Sequence, residues 1–164
     1  MGPDQLAELV HRHAAALVLY ARQWCYCPED VVQNAFLKLA RQKVPPDNTL
    51  PWLYRVVRNG AIDAARAARR RQKYETRAAG EAPTWFVPSD DPTGLDAHAA
   101  AAALADLPVE TREIIVAHLW GGLTFEQIAQ AVGSSAATCY RRYAAGLEQL
   151  RHYLGAVCPT SRKT

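Results

Sequence analysis

One stretch constrains this chain more than any other. Thr124-Phe125-Glu126-Gln127 has the form of a capping box, in which the threonine hydroxyl accepts from the Gln127 amide while the Gln127 side chain reaches back. Phe125, Ile128, Ala129 and Val132 follow at helical spacing and give a short helix one apolar face. Gly133 supplies the residue tolerant of positive φ that a tight turn needs. Ser135 caps a second helix carrying Thr138, Cys139, Tyr140, Arg141, Arg142 and Tyr143, with the small Ala129 permitting close approach and Cys139 facing inward. A helix of about eight residues, a glycine turn and a polar, basic second helix make a helix-turn-helix, whose second helix lies in the major groove. Ala137, Thr138, Tyr140 and Arg141 are then the candidates for base contact, and Arg142 reaches a base or a phosphate. An ordinary antiparallel helix pair is the plainer alternative; the cap, the glycine and the arginines together weigh against it.

Charge points the same way. Between residues 50 and 73, Arg55, Arg58, Arg66, Arg69, Arg70, Arg71 and Lys73 stand against Asp63 alone, an excess of six in a chain whose net charge is +3. Concentrated positive charge suits a polyanion, because neutralised phosphates release condensed counterions. At 100° per residue, Leu53, Val57, Ala61, Ala64 and Ala68 share one side of this segment. Arg55, Arg58, Arg66 and Arg69 share another, interrupted by Ile62. A helix so divided packs through one face and presents charge on the other.

The remaining pattern predicts an all-α fold of two small helical domains joined by a flexible acidic linker. Leu6, Leu9, Val10, Leu17 and Tyr20 mark a helix over 4–24, and Pro28-Glu29-Asp30 opens a second one running to about Gln42. Val44-Pro45-Pro46-Asp47-Asn48 reads as a loop, and Pro51 starts the basic helix. Trp52, at its start, reads as a core anchor. Residues 1–73 form the first domain, 74–97 the linker and 98–157 the second domain. The linker is broken by Gly80, Pro83, Pro88, Pro92 and Gly94, and holds one apolar island at Trp85-Phe86-Val87. In the second domain, Leu104 and Leu107 precede a helix start at Pro108, and Gly121-Gly122 ends the helix that carries Ile114 and Ile115.

Several function classes are excluded or set aside. No apolar run reaches the ~18 to 20 residues of a membrane span. The first residues lack the basic and apolar segments of a signal peptide, so the expected compartment is the cytoplasm. Four cysteines are then expected as thiols. Cys25 and Cys27, with His11 and His13, make a metal or redox site conceivable, yet their spacing is not that of a zinc knuckle. There is no nucleophile–base constellation, phosphate-binding glycine loop or paired carboxylate motif, so neither an enzyme nor a cofactor is expected.

Both halves resemble one family, the extracytoplasmic-function group of bacterial RNA polymerase sigma factors. Residues 28–39, Pro-Glu-Asp-Val-Val-Gln-Asn-Ala-Phe-Leu-Lys-Leu, are similar to its polymerase-binding segment. Residues 52–63, Trp-Leu-Tyr-Arg-Val-Val-Arg-Asn-Gly-Ala-Ile-Asp, are similar to its promoter-melting segment, with the arginine run following as is usual. Leu107-Pro108, residues 121–129 and residues 146–151 are similar to its promoter-distal domain. Three motifs in the right order and spacing cover residues 5–73 and 98–154.

The resemblance implies a sigma factor that binds core RNA polymerase and recognises minus-10 and minus-35 promoter elements; a stand-alone helix-turn-helix regulator is the alternative. It implies that Asp30 and Gln33 grip the polymerase clamp, with Asn34 standing where the family usually has Glu. It places Arg55, Arg58, Asn59, Asp63, Arg66 and Arg69 at the minus-10 element. There Asn59 would lie close to a flipped base, and Asp63 would be partly structural. Ser135, Ala137, Thr138, Tyr140, Arg141 and Arg142 fall to the minus-35 element. The family's usual Val-Lys-Ser-Arg is here Cys139-Tyr140-Arg141-Arg142, so base preference is expected to differ. An anti-sigma factor is the further partner the resemblance allows.

Overall fold

The computed structural model describes residues 2–74 and 97–157. They form seven α-helices: α1 (Pro3–Ala21), α2 (Pro28–Ala40), α3 (Thr49–Tyr74), α4 (Ala97–Asp106), α5 (Val109–Leu119), α6 (Phe125–Val132) and α7 (Ala136–Val157). No strand occurs among the described residues. The acidic stretch with Trp85-Phe86-Val87, and Cys158, lie outside them.

Helix boundaries follow local chemistry. Pro3 and Pro28 occupy first-turn positions of α1 and α2, where a missing amide hydrogen is harmless. Glu29 and Asp30 place negative charge on the amino end of α2, and Lys38 places positive charge in its last turn. The Glu29 carboxyl is held below its usual pKa, first by a backbone hydrogen bond and then by Arg22, whose Nη2 donates to Glu29 Oε1 at 3.2 Å. α3 begins at Thr49, two residues before the expected proline, because Trp52 N–H already donates to the Asn48 carbonyl at 3.2 Å. α1 ends at Ala21, where Cys25 N–H donates back to the Ala21 carbonyl at 3.4 Å and turns the chain toward Pro28.

In the first half, Leu17, Tyr20 and Ala21 of α1 meet Val32, Ala35, Phe36 and Leu39 of α2. Leu53, Tyr54, Val57 and Ala61 of α3 complete that core. In the second half, Leu104, Leu107, Ile114, Ile115, Leu123, Ile128, Ala131 and Cys139 are buried together. Burying each leucine or isoleucine fully contributes roughly 1.5–3 kcal/mol. The two halves do not stand apart. Their buried residues form one continuous cluster, with α3 packed on α6 and α1 on α5.

Candidate nucleic-acid and polymerase interfaces

The helix-turn-helix is assembled as its sequence dictates. Thr124 Oγ1 accepts from Gln127 N–H at 3.3 Å, and Gln127 Oε1 accepts from Thr124 N–H at 3.0 Å, so the capping box is closed in both directions. Gly133 sits at φ 71°, ψ 44°, the left-handed conformation that a β-carbon penalises. Its amide and that of Ser134 both donate to the Ala129 carbonyl, at 2.9 and 3.0 Å. Ser135 Oγ accepts from Thr138 N–H at 3.1 Å and caps α7.

Cys139 is fully buried, on the inward side of α7. An aromatic group braces the unit from beneath. His118 stacks on Phe125 with centroids 4.6 Å apart, and Tyr143 meets both rings edge-on. His118 Nδ1 lies 2.7 Å from the Leu123 carbonyl, which only accepts, so Nδ1 carries the hydrogen.

This frame leaves the expected reading face open. Ser135, Ala137, Tyr140, Arg141 and Arg142 are exposed and Thr138 is half-buried. Arg141 Nη2 donates to Thr138 Oγ1 at 3.3 Å, which holds the guanidinium over the first turn of α7. Tyr140 leans edge-on toward Phe125 at 5.5 Å while remaining exposed. All six lie in the cap and first two turns of α7.

On α3 the expected minus-10 residues separate. Arg55, Asn59, Asp63, Arg66 and Arg69 are exposed. Asp63 pairs with Arg66 at 3.5 Å along the helix, a solvated pair worth a few tenths of a kcal/mol. Arg55 lines a small cavity with Pro46, Asn48, Pro51 and Trp52, and Trp52 packs half-buried against the core. Arg69 lines a larger cleft, about 550 Å³, with Trp24, Tyr26 and Arg71. Arg58 departs from the others. Its Nε donates to Glu113 Oε2 at 2.7 Å and its Nη2 to Oε1 at 3.4 Å.

Glu113 was not singled out from the sequence, and it is the one buried charged residue of the described chain. Tyr20 donates to its Oε2 at 3.3 Å. Burial first, and then the Glu113 charge, hold the Tyr20 phenol well above its usual pKa, so it remains a donor. The hydrogen bond to Glu113 likewise raises Arg58. A signal for Glu113 does exist in the sequence: it precedes Val116 and Ala117 by three and four residues and so shares their buried side.

The expected polymerase-binding trio is exposed but divided. Gln33 stands at the rim of an apolar groove between α1 and α2, lined by Leu6, Val10, Phe36 and Leu37. Asp30 and Asn34 line a different cavity, between α2 and α3, with Val56 and Ala64. At about 100° per residue, Asn34 lies roughly 40° to one side of Asp30 around α2 and Gln33 roughly 60° to the other, so the two border different hollows.

Cys25 is buried, with Sγ 3.6 Å from the Ala21 carbonyl, while Cys27 is exposed. Among the described residues no three His, Cys, Asp or Glu side chains gather to hold a metal ion. No helix among them is long and apolar enough to cross a membrane.

Comparison with known proteins places both halves. Residues 9–71 match the family model for Sigma-70 region 2, and residues 97–150 match that for Sigma-70, region 4. The RNA polymerase sigma factor CarQ of Myxococcus xanthus is 32% identical over 130 residues, covering 77% of this chain and 74% of that protein. The ECF RNA polymerase sigma factor SigL of Mycobacterium tuberculosis is 32% identical over 152 residues, covering 90% and 84%. Among solved structures, the sigma factor RpoE from Bartonella quintana, crystallised with the anti-sigma factor NepR, superposes with a TM-score of 0.69. That match covers 98% of this chain and all of the other at 20% identity, a likeness of fold.

Proposed function

This chain belongs to the extracytoplasmic-function family of RNA polymerase sigma factors, and from that premise we propose how its own residues divide the work. As a sigma factor it binds core RNA polymerase and directs promoter-specific initiation of transcription. It contributes recognition and leaves bond formation to the polymerase. The observation that carries this function is the presence of both family regions, in order, on one chain.

Region 2 carries the polymerase grip. Asp30 and Asn34 offer polar groups from one side of α2, and Gln33 offers another beside the α1–α2 groove. The exposed guanidinium groups of Arg55, Arg66 and Arg69 neutralise promoter phosphates, and Arg58 joins them when it is free of Glu113. Asn59, exposed on α3, presents an amide whose donor and acceptor suit the edge of a base drawn out of the stack, and Asp63 orients Arg66. Extruding that base costs a few kcal/mol, which pocket contacts must offset.

Region 4 reads the minus-35 element in the major groove. Ser135 and Thr138 fix the start of α7, Arg141 presents a two-pronged donor suited to guanine, and Arg142 holds a phosphate or a second base. Tyr140 offers a flat apolar face to a thymine methyl. An anti-sigma factor is the further partner we propose. The protein acts in the cytoplasm, where the polymerase is.

The test is assembly. Wild-type chain co-elutes with core polymerase in gel filtration and supports run-off transcription, and the Asp30→Ala, Gln33→Ala double variant does neither at equal concentration. Full co-elution of that variant counts against the polymerase-binding face described here.

A further inference from the structure

Two thiols meet at the turn between α1 and α2. Cys25 is buried and Cys27 is exposed, with Tyr26 alone between them. The Cys25 thiol lies within hydrogen-bonding reach of the Cys27 side chain and of the Ala21 carbonyl, the latter at 3.6 Å. Both cysteines line the cleft of about 550 Å³, together with Arg69 and Arg71. That volume falls in the ~300–1,000 Å³ range of small-molecule sites.

The charge of this cleft is one-sided. Arg69 and Arg71 form no ion pair among the described residues, and no carboxylate among those residues lines the cleft. Trp24 and Tyr26 add flat apolar walls. A small molecule that bears carboxylates and reacts with thiols suits the combination, and a peptide disulfide has both properties. The two thiols differ in role. Burial pushes the Cys25 thiol up to about 11, so it stays protonated while the exposed Cys27 meets an incoming disulfide first.

We propose that Cys25 and Cys27 form a dithiol site for small anionic disulfides, whose carboxylates Arg69 and Arg71 hold. The Cys27 thiolate attacks one sulfur of the disulfide. A bond forms from Cys27 to that sulfur, the original sulfur–sulfur bond breaks, and the departing thiolate takes up the proton Cys27 lost. Cys25 then attacks the Cys27 sulfur and passes its own proton to the second departing thiolate. The chain is oxidised by two electrons to a Cys25–Cys27 disulfide, and the small disulfide is reduced to two thiols.

Oxidation reaches α2 through Cys27. This residue directly precedes α2, its carbonyl accepts from Val31 N–H at 3.3 Å, and it lines with Asp30 and Asn34 the hollow between α2 and α3. Drawing the two sulfurs to the ~2.05 Å of a disulfide moves it. The polymerase grip is thereby weakened, a consequence that rests on the sigma-factor reading; the thiol chemistry does not.

The experiment uses the reduced Cys158→Ser chain, with oxidised glutathione as the anionic probe and hydroxyethyl disulfide as the neutral one. Samples are quenched with acid and their digests read by mass spectrometry. The expected course is an adduct on Cys27, followed by a Cys25–Cys27 disulfide. The ratio of the anionic to the neutral rate falls about fivefold in Arg71→Ala. In Cys25→Ala the adduct on Cys27 persists; should that variant fail to fold, the transient adduct of the parent chain decides. Oxidised chain binds core polymerase about tenfold more weakly than reduced chain, and dithiothreitol restores it.

Absence of the Cys25–Cys27 bridge, or a rate ratio unmoved by Arg71→Ala, overturns the site. A bridge that leaves core binding unchanged overturns the link to α2. A reduced chain that never binds core polymerase rejects the function instead, and the masses still decide the dithiol.

Discussion

The phenol oxygen of Tyr54, on α3, is buried against Gly121, which follows α5, and it has no hydrogen-bond partner among the described residues. A β-carbon at position 121 would fall on that oxygen and on the Ala117 carbonyl, so the glycine is what admits the tyrosine. Burial alone pushes the Tyr54 phenol well above its usual pKa. An unsatisfied buried hydroxyl costs ~1–3 kcal/mol. Tyr54→Phe is therefore expected to stabilise the folded chain by about 1 kcal/mol, a rise of roughly 3 °C in Tm, measured by calorimetry. A fall in Tm would mean the hydroxyl is satisfied.

Thr124→Ala removes one half of the capping box that starts α6. The expected loss is ~1 kcal/mol. Gly133→Ala costs a similar amount, because its left-handed backbone is one a β-carbon disfavours. Urea denaturation checks both. Neither substitution should change which promoter sequences are selected, since neither position is among the residues proposed to read bases.

Arg141→Ala and Arg66→Ala should fail differently. Loss of a two-pronged base contact relaxes specificity at one minus-35 position by ~1–3 kcal/mol. Loss of a phosphate contact weakens all sequences alike and lowers the salt slope by about one. Holoenzyme binding to a minus-35 library at several salt concentrations separates the two. Identical behaviour of the variants would contradict the division of roles along α3 and α7.

Burial pushes the Cys25 thiol up to about 11, and burial likewise raises Cys139. A raised thiol pKa leaves less thiolate at pH 8, and the thiolate is the reactive form. In a Cys158→Ser chain at pH 8, iodoacetamide should label Cys27 rapidly and leave Cys25 and Cys139 unmodified until the protein is unfolded. Mass spectrometry of digested samples provides the count. Fast labelling of Cys25 would place it at the surface.

Much of the local structure was legible because it is fixed by short-range chemistry. The Thr124–Gln127 cap, the Gly133 turn and the Ser135 cap each depend on residues within four positions of one another. The apolar side of α3 followed from a period that Leu53, Val57 and Ala61 obey. Cross-domain contacts leave no such trace. Glu113 meets Arg58 from 55 residues away and Tyr20 from 93, so no periodicity announces the pair. The basic stripe suggested that Arg58 points outward with its neighbours, and only packing shows it turned onto a carboxylate. The glycine pair at 121–122 read as a helix stop, while its further role, admitting Tyr54, required both halves to be seen together.

This chain directs core polymerase to promoters, and the α3 and α7 surfaces are proposed to read the two spaced elements. The most direct measurement is transcription from a fragmented genomic library by core polymerase with and without the chain, with start sites mapped by sequencing. Start sites should depend on the chain and share a two-element motif. In the Arg141→Ala holoenzyme the upstream element should degrade while the downstream one is kept. Start sites identical with and without the chain would contradict it, as would a chain that binds its sites fully without core polymerase.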